Sequence, residues 1–147
     1  MKKFKGRVVT KGTTKAEAVV THEGFNTLAS LQSALQFGDK KSKCGDQSNQ
    51  ELYGKALKGK ALCLPQTIGS TTGGLVLYCA CAMDRQPACM LFANHIDSLA
   101  AAGAILADVW LDNVSMPVVD CLGEEFLNYV KDGMVITVKE EGVVVVE

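Results

Sequence analysis

The chain has 147 residues, of which 48% are hydrophobic and 21% are charged, and its formal net charge at pH 7 is −1. This length fits one domain with a core of its own, and a near-neutral charge gives no support for a nucleic-acid partner, which requires a basic face. No apolar run reaches the roughly 18 residues that a membrane helix needs. The basic residues 1–6 are not followed by the apolar run of a signal peptide. We therefore expect a cytoplasmic protein without a membrane partner.

The N-terminal part combines strand signals with a long polar segment. Residues 5–10 and 16–21 are rich in β-formers and flank the turn residues 11–14, which predicts a hairpin. Residues 24–58 contain four glycines among many polar side chains and are predicted to be mostly irregular. Because a connection of this length in a compact domain usually has a function, we expect this segment to form an interface.

From residue 57 onward, strand and helix patterns alternate. The pattern predicts strands at 60–64, 88–93 and 117–120. It predicts helices from about 70 to 83, at 96–106 and at 124–131, with Asp97 in the first turn of the second helix. Residues 134–138 and 143–146 are predicted to form a second hairpin. Parallel β-α-β units in the middle and antiparallel strands at both ends predict a three-layer β/β/α domain. Its central sheet is expected to be mainly parallel, with a second, antiparallel sheet beside it.

The most informative loop is Gly-Ser-Thr-Thr-Gly-Gly at residues 69–74, between a predicted strand and a predicted helix. Such a loop offers backbone N–H groups and the Ser70 hydroxyl to an anionic ligand at the positive end of the helix dipole. It matches neither the P-loop nor the dinucleotide-binding or nucleophile-elbow pattern. From the local sequence alone, Ser70 is better explained as a helix N-cap, the commonest role of a serine at a helix start, and one residue can do both.

Two further loops are predicted to meet this one. In open α/β sheets, ligands bind beyond the carboxyl ends of the strands, where loops 65–74, 94–97 and 120–123 are expected to converge. His95 and Asp120 lie in the second and third loops and are candidate ligand contacts. Asn94 in the second loop is a further candidate, and a polar turn at a helix start explains Asn94 and His95 equally well.

The six cysteines predict neither disulfides nor a metal site. The chain has no C-x-x-C pair, and neither histidine has ligand spacing to a cysteine. Cys79 and Cys81 are two residues apart, so on a helix they point to different faces. Cys44 lies in a polar segment and is expected to be exposed, whereas the other five lie in apolar surroundings and are expected to pack as small hydrophobic side chains.

Four stretches together carry a family resemblance: KGRVV at 5–9, LYGKALKGK at 52–60, LPQTIGSTTGG at 64–74 and AAGAILAD at 101–108. In order and spacing they resemble the small subunit, or swivel domain, of aconitase X, a hydro-lyase related to aconitase and isopropylmalate isomerase. The agreement extends to about residue 122, and residues 123–147 look like a C-terminal extension. The resemblance implies one swivelling β/β/α domain over residues 1–147.

The same resemblance implies a function that two chains share. This chain would be the small subunit of a heteromeric dehydratase and would cap a large subunit that holds an iron–sulfur cluster, with no cofactor or metal bound by this chain alone. By position, Ser70 corresponds to the catalytic base, and Gly69, Thr71, Thr72 and Gly73 would contact the substrate. Thr72 stands where aconitase has a substrate-binding arginine, which implies a substrate other than citrate.

The identity of the substrate, a small hydroxy acid, is the next question. Known members of this family dehydrate cis-3-hydroxy-L-proline or mevalonate 5-phosphate. The loop at 64–69 departs from the Pro-Ser-Gly-Arg-Gly pattern of the phosphomevalonate branch and has no arginine for a phosphate. We therefore expect cis-3-hydroxy-L-proline, with mevalonate 5-phosphate as the alternative.

Two other interpretations of the chain belong to different functional classes. One is a phosphohistidine carrier, in which His95 is the candidate histidine. The other is a non-catalytic assembly subunit, in which Ser70 only caps a helix and residues 24–58 bind the partner.

Overall fold

The computed structural model describes residues 1–69 and 71–147, which form ten strands and four helices. The strands are β1 (Lys2–Lys5), β2 (Arg7–Thr10), β3 (Thr14–Val20), β4 (Phe25–Asn26), β5 (Ala61–Leu64), β6 (Thr67–Ile68), β7 (Cys89–Phe92), β8 (Val118–Asp120), β9 (Val135–Val138) and β10 (Val143–Val146). The helices are α1 (Thr27–Phe37), α2 (Gly73–Ala82), α3 (Ser98–Trp110) and α4 (Glu124–Tyr129). Within this described part of the chain, no helix combines the length and the hydropathy that crossing a membrane requires.

Strands β3, β5, β7 and β8 lie side by side and run parallel. They are the centre of an eight-stranded sheet with the order β1-β10-β9-β3-β5-β7-β8-β2, in which the outer pairs are antiparallel. Strands β4 and β6 form a separate two-stranded parallel sheet. The expected α/β fold, with parallel central strands and antiparallel strands beside them, is confirmed.

Strand β3 connects two layers of this sheet. Its first half, from Thr14 to Glu17, pairs with β9, and its second half, from Ala18 to Val20, pairs with β5. The β9–β10 hairpin folds across the parallel strands, and Ile136 shares one core with Cys63. Helices α1, α2 and α3 cover the opposite face of the same strands, which gives the predicted three layers.

Strand β5 shows why the central strands are apolar throughout. Its residues alternate between the two cores: Leu62 and Leu64 pack on the helix side, whereas Ala61 and Cys63 pack against the antiparallel strands. All four are fully buried. Parallel strands that are covered on both faces have continuous apolar sequences, and such runs predict buried strands.

The predicted N-terminal hairpin is wrong. Strand β2 pairs with β8, and β3 pairs with β5 and β9, so the two neighbouring strands belong to different places in the sheet. The Thr10 hydroxyl also donates a hydrogen bond to the Met116 carbonyl oxygen at 2.9 Å, which holds β2 at the far edge. Turn residues between two β-rich runs predict local pairing, but here long-range packing decides the partner of each strand.

Residues 24–58 are less irregular than predicted, because they contain α1. The Asn26 side chain accepts a hydrogen bond from the Ala29 N–H at 3.0 Å and caps the helix start, and Gly38 ends it with a left-handed φ of 71°. The buried positions have helical spacing but are mostly small or polar. They are Thr27, Ser30, Leu31 and Ala34. A hydrophobic pattern alone therefore does not reveal this helix.

Cys44 is buried rather than exposed. Its N–H donates to the Lys55 carbonyl oxygen at 2.9 Å, and Leu52 and Leu57 join the same core with no exposed surface. The polar residues around Cys44 in the sequence predicted the opposite. Neighbours in the fold, not in the sequence, bury this side chain.

Residues 123–147 are an integral part of the domain and not an added extension. Strands β9 and β10 pair with β3 and β1, and Phe126 of α4 is fully buried against them. The T-shaped contact between Phe126 and Phe4, with ring centroids 5.3 Å apart, ties this segment to the chain start. Removing these strands would expose one whole core.

Two glycines allow α2 and α3 to cross in direct backbone contact. A Cβ on Gly74 would overlap the carbonyl oxygen of Leu99, and a Cβ on Gly103 would overlap that of Gly74. No larger residue fits at either position unless the helices separate. This crossing fixes the start of α2 beside the start of α3.

We predict that Gly74→Ala lowers the free energy of unfolding by about 3 kcal/mol, since its methyl group must push two backbones apart. Urea unfolding of the isolated chain measures the change. The matched control is Gly73→Ala, where the nearest atom to an added Cβ is the Thr27 Cβ at 3.7 Å, and we expect a change within about 0.5 kcal/mol. Equal stability of the two variants would contradict the close crossing.

Candidate active site

The glycine-rich loop at residues 69–74 connects β6 with α2. Ser70, the residue to which the sequence assigns the central role, lies outside the described residues, and so does its alternative role as N-cap. Helix α2 begins at Gly73, slightly later than predicted, and Thr72 occupies its N-cap position. Thr71 and Thr72 are exposed, and Gly73 is half-buried. The predicted substrate-binding residues therefore surround an accessible helix start.

Gly69 is required by the geometry of this loop. Its φ of 101° is left-handed, and a Cβ would lie 2.9 Å from the Asn26 side chain. The small β4–β6 sheet brings Asn26 to this place, because Asn26 pairs with Ile68. The same Asn26 side chain caps α1, so one residue locates both the loop and the helix.

Three helices begin around the loop. Helix α1 starts at Thr27, α2 at Gly73 and α3 at Ser98. Thr27, Gly69, Gly73 and Ala100 line one recess of about 170 Å³. Each helix start carries about half a positive charge, which favours an anion in the recess. The Asp97 carboxylate also lines the recess and opposes an anion, and no lysine or arginine lines it among the described residues.

Asp97 is the N-cap of α3 rather than a first-turn residue. Its carboxylate accepts hydrogen bonds from the N–H groups of Leu99 at 3.1 Å and Ala100 at 3.0 Å. It also accepts one from the Thr67 hydroxyl, which links α3 to the strand before the loop. Its negative charge offsets part of the positive potential at the start of α3.

The expected convergence of three loops is confirmed. Thr67 and Asp97 join the first loop to the second, as described above. The Ile96 N–H donates to Asp120 at 2.9 Å, and the Cys121 N–H donates to the Asn94 carbonyl oxygen at 3.0 Å, which joins the second loop to the third. All three loops follow the carboxyl ends of parallel strands, as ligand-binding loops do in open α/β sheets.

Asp120 is a structural residue and not a ligand contact, because its side chain is fully buried. The Arg7 Nε donates to one carboxylate oxygen at 2.9 Å, and a terminal Arg7 nitrogen donates to the other at 2.6 Å. Burial opposes ionisation of Asp120, but the hydrogen bonds from Arg7 and the Ile96 N–H outweigh it and lower the pKa of the carboxyl group. Sequence reasoning missed Arg7, although it is one of only two arginines in the chain.

His95 is exposed, and its Nδ1 lies 3.5 Å from the Cys121 Sγ. Potential ligand atoms of His95, Asp120 and Cys121 lie within 4.8 Å of one another. However, the Asp120 carboxylate is already paired with Arg7, whose positive charge opposes a cation. Partial burial and the nearby carboxylate raise the pKa of the Cys121 thiol, so a thiolate is disfavoured there. We conclude that this group does not fit a metal ion.

The cysteines do not fit an iron–sulfur cluster either. All six are free thiols, and Cys63, Cys81 and Cys89 lie in the core. Burial raises the pKa of Cys81 to about 11 and that of Cys89 to about 12, and it raises the pKa of Cys63 well above the usual range. Clusters are held by thiolates, and over residues 1–69 and 71–147 no three cysteines come together as ligands.

Comparisons with known proteins agree on one family. The aconitase X swivel domain family matches residues 3–146. The phosphomevalonate dehydratase small subunit of Methanosarcina mazei is 28% identical over 89% of this chain and 81% of its own length. That of Archaeoglobus fulgidus is 29% identical over 97% of this chain and 96% of its own length. The crystal structure of Thermococcus kodakaraensis aconitase X, in its holo-form, superposes with a TM-score of 0.81 at 24% identity, covering 100% of this chain and 99% of that one.

We predict that Asp120→Asn lowers the free energy of unfolding by about 2 kcal/mol at pH 7, because the variant loses a charge-assisted pair at a buried carboxyl group. The pKa of Asp120 is lowered in the folded state, so its stabilising effect is present above the usual pKa of 3.8 and is lost as the pH falls below it. The difference between wild type and variant should therefore shrink below about pH 4.

Urea unfolding at a series of pH values measures this difference. The control is Asp108→Asn at an exposed position of α3, where we expect little change at any pH. A difference for Asp120→Asn that stays constant from neutral to acidic pH would show that the charge of Asp120 does not stabilise the fold.

Proposed function

The chain belongs to the aconitase X swivel domain family, and we propose that it is the small subunit of a dehydratase that removes water from a small hydroxy acid. The family match confirms the resemblance expected from the sequence. The observation that carries the proposal is the loop at 69–74, set among three helix starts at the carboxyl ends of parallel strands. The matching small subunits from archaea support the reaction class.

We assign Ser70 the role of the base that removes a proton next to a carboxylate. To act as an alkoxide, its hydroxyl must lose a proton roughly six pK units below its free value, which costs about 8 kcal/mol. A helix start contributes at most about 2 kcal/mol, and Asp97 offsets part of that at α3. Three helix starts therefore fall short of the requirement. The remainder must come from cationic groups of another chain, so this chain alone should be inactive.

The partner is a large subunit, and we assign the iron–sulfur cluster to it. A Lewis-acidic metal centre there would assist departure of the hydroxyl group. In this proposal, the chain contributes the loop at 69–74, with its backbone N–H groups as donors to the substrate and Ser70 as the base. Its unpaired cysteines agree with a reducing compartment such as the cytoplasm.

We propose mevalonate 5-phosphate as the substrate, after the names of the matching small subunits. This corrects the expectation of cis-3-hydroxy-L-proline, which those relatives do not support. That expectation relied on the missing arginine in the loop at 64–69. Backbone N–H groups at helix starts bind phosphate without an arginine, so the missing side chain does not exclude a phosphorylated substrate.

The two other functional classes are less well supported. A phosphohistidine carrier needs a histidine beside the active-site helix, and the family match gives no support to this role for His95. A non-catalytic assembly subunit makes a distinct prediction, since it does not require Ser70 for turnover.

We predict that Ser70→Ala reduces kcat of the two-subunit enzyme by about 10²- to 10⁴-fold, the usual contribution of a general base. The affinity between the subunits and the stability of the chain should remain unchanged. Steady-state kinetics measure kcat, and a binding titration measures the affinity between the subunits. The control is Ser115→Ala, an exposed hydroxyl before β8 at the opposite ends of the strands, and it should retain normal turnover. Normal turnover of the Ser70→Ala enzyme would favour the assembly subunit.

We predict that the reconstituted enzyme dehydrates mevalonate 5-phosphate and that unphosphorylated mevalonate is a much poorer substrate. The reason is the lost attraction between the phosphate and the helix starts. Product analysis by mass spectrometry measures this, with cis-3-hydroxy-L-proline tested in parallel. Turnover of cis-3-hydroxy-L-proline alone would contradict the substrate but not the reaction class.

A further inference from the structure

Helices α2 and α3 present an apolar surface to solvent. We call this surface the outer helix face and define it by Leu75, Tyr78, Leu99, Leu106, Val109 and Trp110. Three of these side chains are largely exposed: Leu75 by 64%, Val109 by 69% and Trp110 by 65%. Apolar side chains of this size cluster on a protein surface mainly where another molecule covers them.

The charge pattern of the two helices supports this interpretation. Helix α2 contains no charged residue, and Asp108 is the single one in α3. A helix at a solvent boundary normally carries charged residues on its outer side, and a helix that is apolar all round is normally buried. Helix α2 is apolar all round but is only partly covered by its own chain.

The outer helix face contains a groove of about 320 Å³ between α2 and α3. The Tyr78 and Trp110 rings meet edge to face there, with centroids 6.4 Å apart, and Leu75 and Leu106 complete the walls. A second groove, of about 450 Å³, lies between α1 and α2 and shares Leu75 with the first. None of the described residues that line either groove is charged.

This face is continuous with the candidate active site. Thr71, just before α2, and Gly74, in the first turn of α2, both belong to the glycine-rich segment 69–74 and also line the first groove. Leu99 lines both the groove and the recess among the helix starts. A molecule that fills the groove therefore also meets the loop at 69–74.

On the basis of the proposed function, we propose that the outer helix face is the docking surface for the large subunit. The large subunit meets it with an uncharged, apolar surface, and one of its side chains enters the groove that Leu75, Tyr78 and Trp110 line. A charged group from the partner would lose its hydration there without a counter-charge, so it is excluded. The second groove extends the contact to α1 and thus to the expected interface segment 24–58.

The opposite side of the domain does not fit this partner. Strand β1, at the edge of the sheet, has the sequence Lys-Lys-Phe-Lys. Lysines on an edge strand are a common means of keeping that edge in solvent. The contrast between this edge and the outer helix face indicates which side turns toward the large subunit.

The test introduces a charge far from the loop, with the variant Val109→Asp. We expect the Kd between this chain and its large subunit to rise about 30-fold or more, because the new carboxylate would lose its hydration against an apolar partner surface. At saturating small subunit, kcat should return to the wild-type value, because Val109 does not line the recess among the helix starts. Activity titrations and isothermal titration calorimetry measure the two effects.

Two controls accompany this variant. Val109→Leu keeps the side chain apolar and should retain wild-type affinity. Wild-type affinity should also change little between low and high salt, because an uncharged contact is not screened. If Val109→Asp does not fold, as judged by circular dichroism, Trp110→Ala replaces it and should give the same loss of affinity.

Three results would overturn the inference or its premise. If the wild-type pair binds and dehydrates its substrate but Val109→Asp binds equally well, the outer helix face is not the docking surface. If the isolated chain forms a dimer that Val109→Asp dissociates without weakening large-subunit binding, the face belongs to a second copy. If the wild-type pair neither binds nor dehydrates any hydroxy acid, the proposed function itself fails.

Discussion

The direct crossing of α2 over α3 at Gly74 and Gly103 is the constraint on which the site depends. Glycine at both positions removes the side chains that normally keep helices 8–10 Å apart, so the two helix starts come together. The small β4–β6 sheet adds the start of α1 from the other side, through Asn26. Three positive helix ends therefore surround one loop, and none of them needs a lysine or arginine to create a site for an anion.

This arrangement is also the physical reason for our proposal that the site is shared between two chains. Helix ends attract an anionic substrate well, but their field is too weak to keep a serine deprotonated. Asp97 weakens it further at α3, where its carboxylate caps the helix. The buried Asp120 stabilises the neighbouring loops and does not act on the substrate, since Arg7 and the Ile96 N–H occupy its oxygens. Under the proposed function, the described residues supply binding and position, and the stronger charges come from the large subunit.

The sequence predicts a strand well where both of its faces are buried. It predicts an element poorly where burial or pairing depends on contacts that are distant in the sequence. Strand β5 is apolar on both faces, so its place in a parallel sheet is legible in the sequence alone. Helix α1, by contrast, has small and polar residues at its buried positions. Cys44 is buried by residues that are not its neighbours in the sequence. Strand β2 pairs with β8 and not with its neighbour β3. The glycines of the loop at 69–74 indicate a functional loop in the sequence alone. The helix crossing that positions this loop also needs Gly103, whose contact with the Gly74 backbone no local sequence pattern shows.

Docking and catalysis are physically coupled if the outer helix face meets the large subunit. The start of α2 belongs both to this face and to the loop, so the partner that covers Leu75 also excludes water from the helix starts. Electrostatic interactions are stronger where water is excluded, because the effective dielectric constant falls. The field of the three helix ends should therefore reach its full strength only in the complex. In the isolated chain, the apolar surface and the lack of cationic side chains at the site are separate features. In the complex they act together, because the site becomes effective only when the partner covers the surface.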